Sequence, residues 1–466
     1  MTDLEAAKKI AELAAQHGGR AYFVGGFVRD ELMGMDTKDI DIEVHGMQPE
    51  DLKAILSQVG EVLQYGSSFG IYGLSGRSID IAMPRKEHAT GRGHRDFEVF
   101  VDPFIGPEEA ARRRDFTINA MMQDVLTGEV LDPFGGRKDL EKGILRHVDD
   151  RSFAEDPLRV LRCAQFAARF RLPAEPQADP SEAPRPNFSV APETMELCRG
   201  MDISALSKER VEGELKKALL QAEKPSVFFE VLRQMDQLGC WFPELGQLIG
   251  LKQDPVYHPE GDVWTHSMEV LDRAAAYRDK VSEPYRFMLL ALLHDLGKIV
   301  STAEAEKDGR IHAYGHETAG LPLIETFLRR ITGEEAVISY VLNMAEHHMK
   351  PNMKSFSRSS VKSTNHMFDE AAAPLDLIYF AMSDKPVMSG STPFSGDSEF
   401  LFERLKAYED TMAQPHVMGR DLTEAGLQPG GYFTDLLAYA HKLRLAGIDK
   451  ETALKQVLSM ARKRKL

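Results

Sequence analysis

The chain has 466 residues, a length for which more than one hydrophobic core and about three domains are expected. Its mean hydropathy of −0.31 and the absence of a long apolar run exclude a membrane-spanning protein, and residues 1–19 predict an amphipathic helix rather than a signal peptide. A net charge of −15 argues mildly against nucleic acid as a partner, and three scattered cysteines favour a cytoplasmic location.

The predicted elements form a head, residues 1–150, that mixes strands and helices, and a body that is almost entirely helical. A helix is predicted over 1–18, and four segments rich in β-branched and aromatic residues predict strands at 21–24, 39–46, 77–84 and 97–102. A further helix is predicted over 108–125, followed by a turn and a short helix. From Ser152 onward nearly every segment predicts a helix, except the proline-rich stretch 173–193, which predicts a surface loop or insertion.

Carboxylates follow the first predicted strand in an order that suits phosphate chemistry. Asp39 and Asp41 alternate on the second strand, so their side chains share one face, with Cα atoms about 7 Å apart. Two such carboxylates can hold Mg²⁺ against a nucleoside triphosphate. Asp80, in the strand over 77–84, is a candidate third carboxylate. The segment therefore predicts phosphoryl or nucleotidyl transfer.

The residues between that strand and the carboxylates add a phosphate-binding turn. Gly25 and Gly26 lack a Cβ atom, so their backbone can approach phosphate oxygens closely, and Arg29 supplies a cation. No Gly-Lys-Ser/Thr sequence follows, so this is not a P-loop. Asp30 is either a helix-start carboxylate or a ligand contact, and we place it as a helper rather than a metal ligand.

A second group of polar residues lies more than a hundred positions downstream. Asp156, Arg159 and Arg162 are spaced i, i+3, i+6, so one helix face presents an acceptor and two forked donors. The carboxylate can accept from the amino group of cytosine or adenine. A structural alternative stays open, in which Ser152 and Glu155 form a capping box and Asp156 pairs with Arg159 on the surface.

Four motifs in this order resemble the class II tRNA nucleotidyltransferases, the family of the CCA-adding enzymes and related poly(A) polymerases: GGFVRDELMGMDTKDIDI, RRRDFTINAMMQD, LDPFGGRKDL and EDPLRVLRCAQFAARF. The resemblance covers at least 20–250 and implies a polymerase beta-like nucleotidyltransferase fold for the head. It implies that Asp39 and Asp41 bind the metals. The implied nucleotide contacts are to the triphosphate from Gly25, Gly26, Arg29, Asp30, Asn119 and Arg162, to the ribose from Arg114 and Asp115, and to the base from Glu155, Asp156 and Arg159.

The charged, glycine-containing segment 85–99 corresponds to the flexible loop of that family, which helps to switch from C to A addition. Arg92, His94 and Arg95 are weak candidates within it. Such loops diverge, so addition of CCA, of CC only or of A only all stay open.

Histidines concentrate between 258 and 366, in a pattern that resembles the HD phosphohydrolase superfamily. In that superfamily a His…His-Asp…Asp set holds metals, with further histidines on neighbouring helices. The resemblance implies as metal ligands His266, His294, Asp295, His316, His347 and Asp384, with His312 and His348 as weaker candidates. Such ligands suit a divalent transition metal or Mg²⁺. Phosphatase activity, cyclic-phosphodiesterase activity and a purely structural role all stay open.

These patterns predict an α+β protein of four parts: a nucleotidyltransferase head over 1–150, a helical neck that binds base and RNA over 151–250, an HD domain over 251–395 and a helical tail over 396–466. The expected function is untemplated addition of CCA to the tRNA acceptor arm from CTP and ATP, with Mg²⁺ in the head. Lys216 and Lys217 would lie along the RNA. The alternatives are a CC-adding, A-adding or poly(A)-synthesising relative, or mainly an HD phosphohydrolase whose head only binds nucleotide or RNA.

Overall fold

A computed structural model describes residues 1–35, 39–65, 70–89, 97–171, 187–256, 258–304, 310–385 and 397–464. The candidates Arg92, His94 and Arg95, and most of the stretch 173–193, lie outside these ranges. The chain divides into two compact units, Met1–Trp241 and Phe242–Leu466. Within the described ranges, no helix is both long and apolar enough to cross a bilayer.

The first unit contains the sheet and the helices that follow it. Its strands are β1 Arg20–Val24, β2 Ile40–His45, β3 Val62–Tyr65, β4 Ile71–Leu74, β5 Ile79–Ala82, β6 Arg85–Ala89, β7 Phe97–Val101, β8 Met122–Asp124, β9 Val130–Leu131, β10 Ile144–Leu145 and β11 Ser189–Val190. Its α-helices are α1 Asp3–Gln16, α2 Gly26–Leu32, α3 Pro49–Leu56, α4 Pro107–Arg112, α5 Gly136–Lys142, α6 Asp150–Ala154, α7 Leu158–Arg169, α8 Pro192–Arg199, α9 Lys208–Gln221, α10 Ser226–Gln234 and α11 Leu238–Trp241.

In its described ranges, the second unit is helical apart from the short hairpin of β12 Ala303–Glu304 and β13 Ile311–His312. Its α-helices are α12 Pro243–Gly246, α13 Val263–Ala275, α14 Pro284–Leu293, α15 Lys298–Ser301, α16 His316–Ala319, α17 Leu321–Ile331, α18 Glu335–His347, α19 Lys350–Phe356, α20 Val361–Glu370, α21 Pro374–Ser383, α22 Asp397–Ala413, α23 Gly419–Glu424, α24 Tyr432–Leu445 and α25 Lys450–Lys463. Short 3-10 helices lie at Thr117–Asn119 in the first unit and Arg278–Lys280 in the second.

The main sheet has the strand order β3-β4-β5-β2-β1-β8-β9. Neighbouring strands are antiparallel except β2 and β5, which run parallel, with Asp41 opposite Asp80. Side chains alternate across a strand, so Ile40, Ile42 and Val44 of β2 enter the core and the residues between them face the other way. The alternation thereby presents the acidic residues of β2 together.

The predicted strands at 21–24, 39–46, 77–84 and 97–102 are confirmed as β1, β2, β5 and β7. The single helix predicted over 108–125 is wrong. Helix α4 ends at Arg112, because the next residues find main-chain partners elsewhere: Phe116 bridges to His147, and Met122 pairs with Val24 in the sheet. Packing against distant segments thus overrides local helical preference.

Candidate active site and metal centre

Two carboxylates lie opposite each other where β2 and β5 run side by side, and a third lies just before β2. Asp41 lies opposite Asp80 in the parallel register, and Asp39 lies immediately before β2. Burial and then the charge of Asp80 raise the pKa of Asp41, with Asp39 adding to the rise and Arg114 opposing it. A cation would relieve this repulsion, and carboxylate oxygens are the ligands that Mg²⁺ prefers. The carboxylate oxygens and their mutual repulsion therefore suit a divalent metal.

Glu43 continues the alternation of these carboxylates along β2, but it is fully buried. It accepts hydrogen bonds from His45 Nε2 at 2.9 Å, Arg113 at 3.3 Å and Arg114 at 3.4 Å. Burial raises the pKa of Glu43, but the hydrogen bond from His45 and the charges of Arg114 and Arg113 outweigh it and lower the pKa to about 2. Glu43 therefore holds two cations beside the carboxylates. It was not among the predicted site residues, although the period of two in DIDIE was its signal.

Gly25 lies at the turn between β1 and α2 with φ of +66°, a conformation that favours glycine. A Cβ atom there would lie 3.1 Å from Arg114 Nη1 and 3.7 Å from Asp41 Oδ2. Gly26, the first residue of α2, would place a Cβ 3.3 Å from Arg29 Nη2. The glycine pair therefore keeps open the space where cation and carboxylate approach each other.

Arg29 is buried, with 5% of its surface exposed, and its guanidinium lies 4.4 Å from the ring centroid of Phe170. Nε donates to Asp30 Oδ1 at 2.7 Å and Nη1 donates to Asn119 Oδ1 at 2.6 Å. Desolvation lowers the pKa of Arg29, and Asp30 opposes the shift. Arg29 thus organises the turn from inside, with Asp30 as its helper, and its contact with a triphosphate stays a prediction.

The same polar row continues to helix α7. Asn119 Nδ2 donates to Asp115 Oδ1 at 2.9 Å, and Arg162 Nε donates to Asp115 Oδ2 at 2.8 Å. Burial raises the pKa of Asp115, but the larger opposing effect of Arg162 and Asn119 gives a net lowering of that pKa. Four predicted site residues therefore form one connected row, Arg29–Asn119–Asp115–Arg162, which we call the polar row.

The predicted base-reading residues lie at the junction of α6 and α7. Glu155 directly follows α6, and Asp156 pairs with Arg210 of α9, with Nη2 3.0 Å from each carboxylate oxygen. Arg159 instead donates to the main-chain carbonyls of Ser152 at 2.6 Å and Arg113 at 2.7 Å. The ion pair predicted between Asp156 and Arg159 is therefore absent, and Asp156 pairs instead with Arg210 of α9.

The helix cap in this region also differs from the structural alternative. Asp149, not Ser152, caps α6 and accepts from the main-chain N–H of Ser152. Arg210, 54 residues from its partner Asp156, was not among the predicted site residues, and the sequence carries no local signal for so distant a contact.

Among its described residues the second unit has three groups of potential ligands, and within each group the ligand atoms lie within 4.8 Å of one another. His258, Glu260 and His266 form one of them, and the other two are called the ligand groups. One ligand group is His266, His294 and Asp384, and the other is Asp295, His316 and His348. His266 lies on α13 and His316 on α16. The other four follow the end of a helix: His294 and Asp295 follow α14, His348 follows α18 and Asp384 follows α21.

Asp295 faces both groups. Its Oδ2 lies 3.3 Å from His294 Nε2 and 3.5 Å from His266 Nε2, and its Oδ1 lies 3.3 Å from His316 Nε2. Burial raises the pKa of Asp295, but Lys298 and His294 lower it well below its usual range. Among the described residues, His294 Nε2 is buried without a hydrogen bond, as expected of a ligand atom. The two ligand groups would therefore suit divalent metal ions, which these histidines and carboxylates would hold.

Main-chain and carboxylate acceptors orient the histidines of these groups. Three Nδ1 atoms lie within hydrogen-bond distance of a carbonyl three residues earlier: His294 with Ala291 at 3.1 Å, His316 with Ala313 at 2.8 Å and His348 with Ala345 at 2.6 Å. His266 Nδ1 lies 2.6 Å from Glu260 Oε1. Donation through Nδ1 leaves Nε2 to face the ligand groups, the arrangement usual for metal-binding histidines.

The predicted ligand His347 lies outside the two ligand groups, whereas its neighbour His348, the weaker candidate, belongs to one of them. His347 Nε2 lies 3.8 Å from Glu370 and takes no part in the ligand groups, whereas His348 Nε2 lies 3.2 Å from His316 Nε2. Consecutive helical residues point about 100° apart, so only one histidine of such a pair can face the centre.

Every member of the two ligand groups except His294 lines a cavity of about 710 Å³, together with Lys298, His312 and Tyr314. Lys298 Nζ lies 2.8 Å from both Asp295 Oδ2 and Gln253 Oε1. His312 stacks on the ring of Tyr314, with centroids 4.9 Å apart. His312 thus lines the cavity and lies outside the two ligand groups.

Comparisons with known proteins identify the families of the two regions that contain these residues. Residues 21–146 match the poly A polymerase head domain family, and residues 263–385 match the HD domain family. The chain is 36% identical over 331 residues to the Multifunctional CCA protein of Actinobacillus pleuropneumoniae serotype 5b (strain L20), which covers 70% of this chain and 74% of that protein. The chain belongs to the multifunctional CCA protein family.

A second family member, from Aromatoleum aromaticum, is 40% identical over 302 residues, covering 64% of this chain and 67% of that protein. Among solved structures, the Thermotoga maritima CCA-adding enzyme complexed with tRNA superposes with a TM-score of 0.62 at 21% identity, covering 98% of this chain and 95% of that one. The Bacillus stearothermophilus CCA-adding enzyme in complex with CTP gives 0.64 at 20% identity, covering 100% and 99%.

These matches confirm the resemblance and the predicted α+β class, a nucleotidyltransferase head followed by helices that include an HD domain. Both domain types imply that this CCA protein uses divalent metal ions.

Proposed function

We propose that this CCA protein adds C, C and A to tRNA 3′ ends from CTP and ATP, without a nucleic-acid template. The observation that carries the proposal is the pairing of Asp41 with Asp80 beside Arg114, which buried Glu43 holds in place. Its relatives are named for CCA, and solved structures of similar fold are CCA-adding enzymes with tRNA, ATP or CTP.

The carboxylates Asp39, Asp41 and Asp80 would hold Mg²⁺, which when bound activates the tRNA 3′-hydroxyl and stabilises the departing pyrophosphate. Arg114 places a positive charge next to them, where the triphosphate anion would bind. Gly25 leaves room for that anion, because any side chain there would meet Arg114.

Base selection would depend on Asp156. An ionised carboxylate only accepts hydrogen bonds, whereas cytosine and adenine each offer an amino group that donates. Uracil and guanine present a carbonyl oxygen at that position, so a fixed carboxylate would repel them. Glu155 and Arg159 would complete the base-binding side, and Arg162 would contact the triphosphate. RNA would lie along the neck near Lys216 and Lys217, of which Lys217 pairs with Glu214 at 2.8 Å.

The test uses tRNA that ends before its CCA sequence, supplied with CTP alone, ATP alone and both, followed by sequencing of the 3′ ends. We expect CC from CTP alone and CCA from the mixture. Products that stop at CC in the mixture would identify a CC-adding enzyme, and addition only to tRNA already ending in CC would identify an A-adding one. Long A tails would contradict the proposal in favour of a poly(A) polymerase.

We further propose a metal-dependent phosphohydrolase activity in the HD domain, because two buried ligand groups open into one cavity beside Lys298. Mg²⁺ and a divalent transition metal both suit the histidine and carboxylate ligands. The division of the chain into a head, a neck, an HD domain and a tail, with boundaries at 150, 250 and 395, also remains a proposal. Hydrolysis of 2′,3′-cyclic AMP by the intact chain, measured with each metal, tests this activity. Absence of turnover with every metal would leave the HD domain a scaffold.

A further inference from the structure

Arg210 reaches the proposed base-reading residue from a different helix. It lies near the start of α9, and its Nη2 is 3.0 Å from both Oδ1 and Oδ2 of Asp156. The two side chains are largely buried, with 22% of Arg210 and 29% of Asp156 exposed. Arg210 Nη1 is buried without a hydrogen-bond partner in the described part of the chain, so Asp156 is the carboxylate that anchors this guanidinium.

Contacts within its own segment do not fix the orientation of the Asp156 carboxylate, so this orientation depends on α9. Oδ1 accepts from the main-chain N–H of Leu158 at 3.1 Å, which fixes one oxygen only. Arg159, the side chain one turn along, is turned toward main-chain carbonyls. Arg210 is therefore the side chain that determines where the second oxygen of Asp156 points.

Helix α9 supports a second residue of the nucleotide side in the same way. Glu214 lies four residues after Arg210, on the same helix face, and is 3% exposed. Its charge acts on Arg162, whose pKa is raised by Asp115 and then by Glu214 and Asp156, against the effect of burial. Helix α9 thus places the positive charge of Arg210 next to Asp156 and the negative charge of Glu214 near Arg162.

We propose that Arg210 is a positioning residue for nucleotide selection, which fixes the carboxylate of Asp156 as an acceptor for the amino group of cytosine or adenine. The inference rests on the proposed role of Asp156 in base reading. A carboxylate that can rotate loses part of its preference, because it can turn away from the carbonyl oxygen of uracil or guanine. A fixed one cannot relieve that repulsion.

The experiment measures kcat/KM for CTP and UTP on tRNA lacking CCA, with the intact wild-type chain and the variants Arg210→Met and Arg210→Lys. We expect Arg210→Met to reduce the CTP-over-UTP preference about tenfold or more, in line with the loss of one hydrogen-bonding discrimination, while tRNA affinity changes less than about twofold. Arg210→Lys, which keeps a charge near Asp156, should retain most of the preference. Arg233→Met, which removes an exposed arginine paired with Glu230 on α10, is the matched control and should leave the preference unchanged.

Two further variants separate the inference from the function on which it rests. If Asp156→Ala keeps the wild-type preference, the base-reading role of Asp156 is wrong, whatever Arg210 does. If Asp156→Ala loses the preference and Arg210→Met keeps it, the inference about Arg210 is wrong. An equal loss of kcat/KM for all nucleotides in Arg210→Met would also overturn it, since that marks a general structural role. In the double variant, Arg210→Met should change the preference no further.

Discussion

Replacement of Glu43 by glutamine tests whether a buried carboxylate holds the arginines of the head. The pKa of Glu43 falls from its ordinary 4.5 to about 2 in the folded chain. At about 1.36 kcal/mol for each pKa unit, ionisation of Glu43 contributes about 3 kcal/mol to folding at neutral pH. Glutamine keeps the shape but removes the charge that His45, Arg113 and Arg114 share. We therefore expect Glu43→Gln to destabilise the strand by about 3 kcal/mol.

The pH dependence of this loss follows from the direction of the shift. A lowered pKa means that the contribution is complete above the unfolded-state pKa of 4.5 and is lost as the pH falls toward 2. Stabilities of the wild type and Glu43→Gln should therefore differ by a constant amount from pH 7 to about 5, then converge as the solution is acidified.

Hydrogen exchange of the β2 amides in the intact protein measures this difference without assuming that the two units unfold together. Glu12→Gln is the control, because it removes an exposed carboxylate paired with Lys9 and should change stability by less than about 1 kcal/mol. A Glu43→Gln protein as stable as the wild type at pH 7, or a difference that grows on acidification, would refute the reasoning.

Three other substitutions test the two sites. Asp41→Ala should abolish nucleotide incorporation and leave any hydrolysis of 2′,3′-cyclic AMP intact; loss of both activities in assays of the same preparation would mean that the sites are not separable. Gly25→Ala, with φ of +66° and a Cβ 3.1 Å from Arg114, should reduce kcat/KM for CTP by about tenfold or more through roughly 1–3 kcal/mol of backbone strain added to the steric contact, while circular dichroism stays unchanged. His348→Ala should lower the number of metal ions bound per chain, measured by mass spectrometry of the metal content, whereas His347→Ala should not; equal losses in both variants would contradict the assignment.

Residues that share a local pattern were predictable from the sequence. Asp39 and Asp41 follow from the period of a strand, and the turn at Gly25 follows from glycines placed directly after a strand. The pairing of Asp41 with Asp80 was predicted only as neighbouring strands, because the register depends on which strands meet in the sheet.

Contacts between distant segments could not be predicted in this way. The helix predicted over 108–125 breaks because Phe116 and Met122 find main-chain partners outside it. His347 and His348 are adjacent residues of the same type, and the packing of α18 determines which one faces the ligand groups. Arg210 meets Asp156 through the packing of two helices, for which a single sequence contains no spacing rule.

The polar row Arg29–Asn119–Asp115–Arg162 has a consequence for how this protein can change over evolutionary time. Each interior member hydrogen-bonds to both of its neighbours, so the loss of one leaves a buried group without a partner at the next position. Substitutions at Arg29 and Arg162 should therefore depend on each other, because the two side chains are linked through Asn119 and Asp115 and both guanidinium groups also lie near the Phe166 ring. Viable sequences would replace the row jointly, because a single replacement leaves a buried polar group without one of its partners.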